Sequence, residues 1–410
     1  MRSLSSQMRV LLLTDEYPPY IFGGVGTFCY NLANALSDRG VSVVVMTGCP
    51  AEAVKKGFCK AHESVNSNLE LIRMTRTDLP PTQFWYEIMN MDKILSNLSD
   101  FDIVHAQYGP SFPLIYSSKK AKQKVPWVVT VHTSPVSELQ YAMKSMASAE
   151  SSIKEFLFHV MGFPLWDFSM RVQIKLADAL VPVSEDVSRV ITGHYGVEPG
   201  RVSKINTGVN VAELNEFAGS VPPEPRSNGR VIRMFYGGRL FWRKGILHLI
   251  KSLNYLTLKF GFDAYELEIF GQGPLTERVS SLISEYHLGG KVVLRGFVTY
   301  SELLMAMARS DIVCVPSLYE ACPVGMIEAM AMGKPVVAFD RPFSRELLDG
   351  VPNAAIAKGV QDYAALLHSL STSRDLRTKL GRCLQVQAAK KFDMKIIAEQ
   401  YIGLYKRLLS

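Results

Sequence analysis

Residues Ser317 to Val337 read S-L-Y-E-A-C-P-V-G-M-I-E-A-M-A-M-G-K-P-V-V, and this stretch decides the fold class. An apolar run ending near Val315 reads as a buried strand that empties into a short loop carrying Glu320. A helix is predicted to start at Val324 or Gly325 with Glu328 on its first turn, and Gly333 and Pro335 stop it before another apolar strand. Open α/β sheets bind anionic ligands where a strand feeds a loop that ends at a helix N-terminus. Two carboxylates at such a place do not suit phosphates; they suit hydroxyl groups, from which they accept charge-assisted hydrogen bonds.

Upstream, residues 235–245 read F-Y-G-G-R-L-F-W-R-K-G. A strand ends there, Gly237 and Gly238 allow a close backbone turn, and Arg239 and Lys244 follow just before a helix over Ile246–Leu256. Guanidinium and ammonium groups beside a helix N-terminus fit a diphosphate. Taken alone, the same pair would read as surface cations. Arg243 reads as a solvated neighbour. Two more glycine turns follow predicted strands, Gly271-Gln-Gly273-Pro274 and Gly296-Phe297-Val298, so four strand ends in succession carry ligand-compatible loops.

In the first half, D-E-Y-P-P-Y-I-F-G-G-V-G-T-F (residues 15–28) follows the first strand and precedes a helix over Thr27–Leu36. Gly23, Gly24 and Gly26 let backbone N–H groups approach an anion. The third glycine of a nicotinamide fingerprint is absent, because Cys29 stands in its place. His132 ends the strand W-V-V-T-V, a position suited either to a substrate hydroxyl or to a structural hydrogen bond. His105 also ends a strand and reads as structural or acceptor-side, while Ser184 reads as a helix cap. The long segment from Tyr141 to Leu176, with Phe163, Trp166 and Phe168, reads either as a packed helix pair or as an acceptor-binding or membrane-touching surface.

The alternation of short apolar runs with helical stretches predicts a doubly wound α/β protein. Strands are expected at Arg9–Leu13, Val41–Met46, Leu69–Arg73, Ile103–His105, Trp127–Val131, Ala179–Val183 and Val202–Ile205. A second series is expected at Val231–Tyr236, Glu266–Phe270, Lys291–Leu294, Ile312–Val315 and Val336–Phe339. The proline-rich residues 221–229 separate the two series and have linker composition. The expected organisation is therefore a first Rossmann-like domain over 8–206 and a second over 207–390, with 207–230 as linker. A terminal helix over 391–410 carries Ile397, Tyr401, Leu404, Tyr405 and Leu408 on one face, and it either stays with the second domain or crosses back to the first.

With 410 residues, 48% hydrophobic and 20% charged, the chain has material for two cores. No run of about 18 apolar residues indicates a spanning helix. The six cysteines are scattered without a C-x-x-C pair, which argues against a disulfide framework or zinc site and for a reducing cytoplasm. Net charge is +7, and residues 371–410 hold nine Lys/Arg against three Asp/Glu. A spread basic helix reads first as a solvated face; it leaves open a peripheral contact with the inner face of an anionic membrane and does not point to nucleic acid.

The spacing Glu320, seven residues, Glu328, then Ala-Met-Ala-x-Gly-x-Pro-Val-Val, together with Gly238–Lys244, resembles retaining glycosyltransferases of family 4, which have the GT-B fold. The resemblance spans nearly the whole chain. It implies two Rossmann-like domains facing across a cleft and a nucleotide-sugar donor, UDP favoured over GDP. The acceptor would be a glycan, a lipid-linked or a small-molecule hydroxyl compound. On that pattern Arg239 and Lys244 neutralise the leaving diphosphate, Glu320 holds the donor sugar, and Glu328 holds the ribose hydroxyls. His132 meets a sugar hydroxyl, and Gly23, Gly24, Gly238, Gly271, Phe297 and Val324 border the donor, with the backbone at Phe297 near the base. No cofactor and no metal are expected, since no Asp-x-Asp metal site is evident. The family usually has Glu-Gly-Phe-Gly where this chain has Glu320-Ala321-Cys322-Pro323, and proline removes a backbone donor there. A glucan synthase, a sugar-nucleotide 2-epimerase and a non-catalytic nucleotide-sugar-binding protein remain as alternatives.

Overall fold

The computed structural model describes residues 7–21, 23–50, 60–76, 88–107, 111–147, 153–222 and 231–410. The chain forms two compact units. One gathers the described residues of Met1–Glu138, Met161–Gly208 and Met394–Ser410; the other gathers those of Leu139–Val160 and Val209–Asp393.

In the first unit, β1 (Arg9–Thr14), α1 (Gly24–Ser37), β2 (Ser42–Pro50), β3 (His62–Asn66) and β4 (Leu69–Arg76) are followed by α2 (Met91–Asn97), β5 (Ile103–Gln107), α3 (Phe112–Lys120) and β6 (Trp127–Val131). Then come α4 (Pro135–Ala147) and α5 (Ile153–Leu176), of which residues 139–147 and 153–160 are gathered with the second unit, and β7 (Ala179–Pro182) and α6 (Glu185–Arg189). The strands form one seven-stranded sheet in the order β3-β4-β2-β1-β5-β6-β7. All pairings are parallel except β3 on β4. Strands buried on both faces read as unbroken apolar runs, which is why β1, β5 and β6 were legible. β3 is a polar edge strand without such a run, and the sequence does not reveal it. The expected strand at Val202–Ile205 is not one: it makes an isolated bridge from Val202 to Leu180 beside β7 and adds no strand to the sheet.

The second unit contains α7 (Val211–Ser220), β8 (Ile232–Gly237), α8 (Ile246–Phe260), β9 (Tyr265–Phe270), α9 (Thr276–Glu285), β10 (Val292–Gly296), α10 (Tyr300–Arg309) and β11 (Ile312–Val315). It continues with α11 (Val324–Ala331), β12 (Val336–Phe339), α12 (Pro342–Leu347), β13 (Ala355–Ala357), α13 (Val360–Thr372) and α14 (Arg374–Lys391). Its six parallel strands run β10-β9-β8-β11-β12-β13. The order reverses between β8 and β11, and loops leaving a sheet at such a switch point are the usual ligand site. β13, only three residues long, was too short to read from sequence.

The last helix, α15 (Met394–Leu409), belongs to the first unit. Ile397, Tyr401, Leu404 and Tyr405 are buried in the core built by α1, β1, β2 and β6. Residues 223–230 of the proline-rich stretch and Cys59 lie outside the described residues. Cys29, Cys49, Cys314, Cys322 and Cys383 are not paired in disulfides. No described helix is long and apolar enough to cross a membrane.

Candidate functional site

In the second unit, glycine turns at the C-terminal strand ends are joined by backbone hydrogen bonds. Gly238 N–H donates to the Phe270 carbonyl (2.9 Å), Leu240 N–H to that of Gln272 (3.1 Å), and Gly271 N–H to that of Gly296 (2.7 Å). A Cβ on Gly271 would lie 2.1 Å from the Gly238 carbonyl oxygen, so the turns after β8 and β9 touch through backbone alone. The loop after β11 is tied in as well. Leu318 N–H donates to the Arg243 carbonyl (2.8 Å), and a Cβ on Gly245 would stand 1.7 Å from the Pro316 oxygen. Gly245 also has φ +66°, so both backbone conformation and space require glycine.

This stitching brings Glu320 to Lys244. The Lys244 ammonium donates to Glu320 Oε1, Ser317 Oγ donates to the same oxygen (3.0 Å), and the Arg243 guanidinium stands 3.7 Å from Oε2. The Glu320 side chain is only 10% exposed. Burial alone would raise its pKa, but Lys244 and Arg243 outweigh burial and hold the carboxyl below its usual range, so it is ionised. Arg243 is therefore part of the site and not a solvated bystander, a role the sequence could not show because its partner lies far along the chain. Arg239 is exposed beside this cluster, and its carbonyl accepts from Phe241 N–H and from the Tyr236 hydroxyl. Tyr319, next to Glu320, stacks on Tyr141 with ring centroids 4.2 Å apart.

α11 starts at Val324 with Pro323 as its N-cap; Val324 and Gly325 carry first-turn N–H groups that lie outside the intrahelical ladder. Gly333, at φ +67°, ends the turn that follows the helix. Glu328 sits in the second turn, not the first as expected, because the helix starts at the earlier residue. It is buried, and its Oε1 accepts a 2.5 Å hydrogen bond from the Tyr300 hydroxyl. Burial raises the Glu328 pKa, and the Tyr300 bond offsets part of that rise. Tyr300 escaped the sequence reading, although the capping box of Thr299 and Glu302 that places it at the start of α10 is written in the sequence. Phe297, in the loop before α10, is 81% exposed.

In the first unit, Gly23 is the N-cap of α1, and Gly24 and Gly26 lie inside the helix, not in the preceding loop. The Gly23 N–H already has an anionic partner, Glu16 Oε2 at 2.9 Å. His132 is partly buried. Its Nε2 lies 2.8 Å from Gln107 Oε1, and its ring meets Phe28 edge-on. His105 is fully buried between the Tyr405 hydroxyl and Thr130 Oγ1, both at 2.7 Å, which makes it structural. Ser184 caps α6 by accepting from Val187 N–H. On α5, Phe163 and Trp166 are half-buried, whereas Phe158, Met161 and Phe168 are exposed. Among the described residues, no group of three or more His, Cys, Asp or Glu is arranged to hold a metal ion.

Residues 22–213 match the family described as Glycosyltransferase Family 4, and residues 221–383 match Glycosyl transferases group 1. The chain belongs to glycosyltransferase family 4. This glycosyltransferase is 23% identical to a glycogen synthase of Mycobacterium tuberculosis over 97% of its own length and 94% of that protein's. Its fold matches sucrose-phosphate synthase from Thermosynechococcus elongatus with a TM-score of 0.71 at 18% identity, covering 98% of this chain and 99% of that one. It also matches Anabaena HepE in complex with UDP-glucose, with a TM-score of 0.68 at 16% identity over 98% and 100% of the two chains. The fold is of the GT-B type, with two doubly wound parallel-sheet domains.

Proposed function

We propose that this glycosyltransferase moves a sugar from a nucleoside diphosphate sugar, UDP in preference to GDP, to an acceptor hydroxyl with retention at the anomeric carbon. The observation that carries the reading is the cluster at the β8–β11 switch point, where buried, ionised Glu320 is flanked by Lys244 and Arg243. Lys244 and exposed Arg239 take the diphosphate, Glu320 accepts from donor-sugar hydroxyls, and Glu328 accepts from the ribose. The turns at Gly238 and Gly271, Val324 at the start of α11 and the loop at Phe297 line the donor. His132 is assigned a sugar hydroxyl, and Gly23 and Gly24 an approach to the phosphates. The UDP-glucose complex of HepE supports a uridine donor.

Double displacement requires two carboxylates about 5 Å apart across the sugar. Glu320 is committed to Ser317, Lys244 and Arg243, and Glu328 to Tyr300, so neither is a free nucleophile. Attack therefore comes from the face that the diphosphate leaves. The bond from the anomeric carbon to phosphate oxygen breaks, the acceptor oxygen bonds to that carbon, and the acceptor proton passes to the leaving phosphate. The cations stabilise charge growing on the diphosphate, which supplies most of the rate enhancement. No cofactor takes part, and the cations meet the diphosphate charge without a metal.

The test is nucleoside diphosphate release from a panel of UDP-, GDP- and ADP-sugars with EDTA present, for wild type and Lys244→Ala. Release from one donor that collapses in the variant supports the reading; no donor binding by thermal shift overturns it. NMR of the product's anomeric configuration tests retention, and activity lost in EDTA and restored by Mg²⁺ would overturn the metal-free assignment. The similarity to glycogen synthase favours a second reading, an α-glucan acceptor, which successive additions to one product would reveal. Exposed Phe158, Met161 and Phe168 of α5 favour instead a lipid-linked acceptor, which vesicle co-sedimentation tests.

A further inference from the structure

The two oxygens of the Glu328 carboxylate are not equivalent. Oε1 is engaged by the Tyr300 hydroxyl in a short hydrogen bond of 2.5 Å. Oε2 lies on the side of Gly325, 3.9 Å from where a Cβ on that exposed glycine would be, so nothing on Gly325 obstructs the approach to it. The backbone of α11 around Glu328 is buried, and Met326, Ile327, Ala329 and Met330 anchor it in the core. The main chain at Glu328 is thus fixed by packing, and its carboxylate by one phenol from a different helix. The main chain at Tyr300 is held in turn, because Thr299 and Glu302 close a capping box at the start of α10.

We propose that Tyr300 is a positioning residue that sets ribose recognition: by holding Oε1 it orients the carboxylate so that Oε2 faces the hydroxyls of a ribonucleoside diphosphate. This rests on the assignment of Glu328 to the ribose. A carboxylate without the phenol rotates about its last bond, and part of the binding free energy then goes into fixing that rotation. Tyr300 makes the orientation a property of the free protein. The ligand class it selects is a ribonucleotide over a 2′-deoxyribonucleotide, because the oriented oxygen meets the 2′-hydroxyl, which only the ribonucleotide carries, the 3′-hydroxyl being common to both.

The experiment measures binding of UDP and 2′-deoxy-UDP by calorimetry to the full-length wild type, Tyr300→Phe and Glu328→Gln; ADP and 2′-deoxy-ADP replace them if the protein binds ADP more tightly. The phenylalanine variant keeps the ring and removes only the hydroxyl. Wild type should prefer the ribonucleotide by about tenfold or more, as expected for hydrogen bonds to a charged group. Tyr300→Phe should weaken UDP by about five- to tenfold and leave 2′-deoxy-UDP within about twofold, so discrimination collapses. Equal weakening of both nucleotides would mean that Tyr300 only supports the fold, and the inference fails. If Glu328→Gln abolishes discrimination while Tyr300→Phe retains it, the inference fails and the ribose assignment stands. If both variants keep the wild-type discrimination, or wild type itself shows none, the assignment of Glu328 fails and the inference with it.

Discussion

The Nε2 of His132 stands 2.8 Å from Oε1 of Gln107, and this contact sets which ring nitrogen carries the proton. An amide oxygen only accepts, so Nε2–H donates and Nδ1 of the neutral ring is left as an acceptor. The Gln107 amide nitrogen faces Nε2 of His105 at 3.3 Å, and Thr130 Oγ1 lies 2.7 Å from the same nitrogen. His105 Nε2 then accepts, and its Nδ1–H donates to the Tyr405 hydroxyl. Thr130 in turn takes the hydrogen of the Tyr401 hydroxyl at 2.9 Å. One polarity runs from His132 to two tyrosines of α15, with the single lone pair of His105 Nε2 shared between Thr130 at 2.7 Å and Gln107 at 3.3 Å.

This arrangement makes the first unit acid-sensitive. Burial pushes the His105 pKa down to about 3, with His132 adding to the effect, and burial takes His132 to about 4. An unfolded histidine protonates near pH 6.5, so between that value and the folded pKa the unfolded chain binds more protons. Stability is therefore full above pH 7 and falls as pH drops through 6.5. By pH 5 His105 alone costs about 2 kcal/mol. Denaturant unfolding from pH 7.5 to 5 should show this slope, and His105→Gln should flatten it; an unchanged slope would contradict the neutral network.

Tyr405→Phe removes the acceptor for His105 Nδ1–H while leaving the ring in place. A buried donor left unpaired costs about 1–3 kcal/mol, and the loss should appear as a lower denaturation midpoint. Because α15 is packed by Ile397, Tyr401 and Leu404 as well, the variant should still fold. A midpoint equal to wild type would show that the bond contributes nothing.

Two glycines at candidate phosphate loops should respond oppositely to alanine. Gly245 is in the left-handed region, and its Cβ would overlap the Pro316 carbonyl, so Gly245→Ala should cost about 3 kcal/mol or more and abolish turnover. Gly23 has extended backbone at φ −170° and nothing within 4 Å of a Cβ. Gly23→Ala should leave the thermal midpoint nearly unchanged, and any effect should appear in donor KM alone. Similar midpoints for the two variants would refute this reading of the loops.

Glu320→Gln leaves Lys244 and Arg243 without their anion and removes the strongest acceptor for a sugar hydroxyl. We expect donor turnover to fall by about a hundredfold or more, as for loss of a charged hydrogen bond made in the transition state. Lys244→Ala should instead leave Glu320 with Arg243 as its remaining cation, lowering stability by about 1–3 kcal/mol as well as activity. Parallel assays of kcat/KM and thermal midpoint separate these patterns, and a fully active Glu320→Gln enzyme would remove that residue from the site.

Much of the architecture was legible because parallel strands buried on both faces advertise themselves as apolar runs. The strand at Val336–Phe339 was read to the residue, and the terminal helix expected over 391–410 spans Met394–Leu409. The edges were not: β3 is polar and β13 only three residues long, so neither gives a periodic signal. Glu320 and Lys244 were picked out by residue type and loop position, whereas Arg243, Gln107 and Tyr300 were not. Their partners lie elsewhere in the chain, and nothing in local spacing marks them.

By itself the sequence determined the fold class, the positions of most strands along the chain and the loops that carry chemistry. Hydrophobic periodicity, glycine turns and charge type are local properties of a chain. Only the tertiary structure decided which of those charges meet. Glu320 lies between two cations because loops after β8 and β11 emerge side by side at a switch point, and α15 folds back to seat Tyr405 against His105, 300 residues away in sequence. Such pairings depend on strand order and helix placement, which are set by burial of the whole core and not by any one segment.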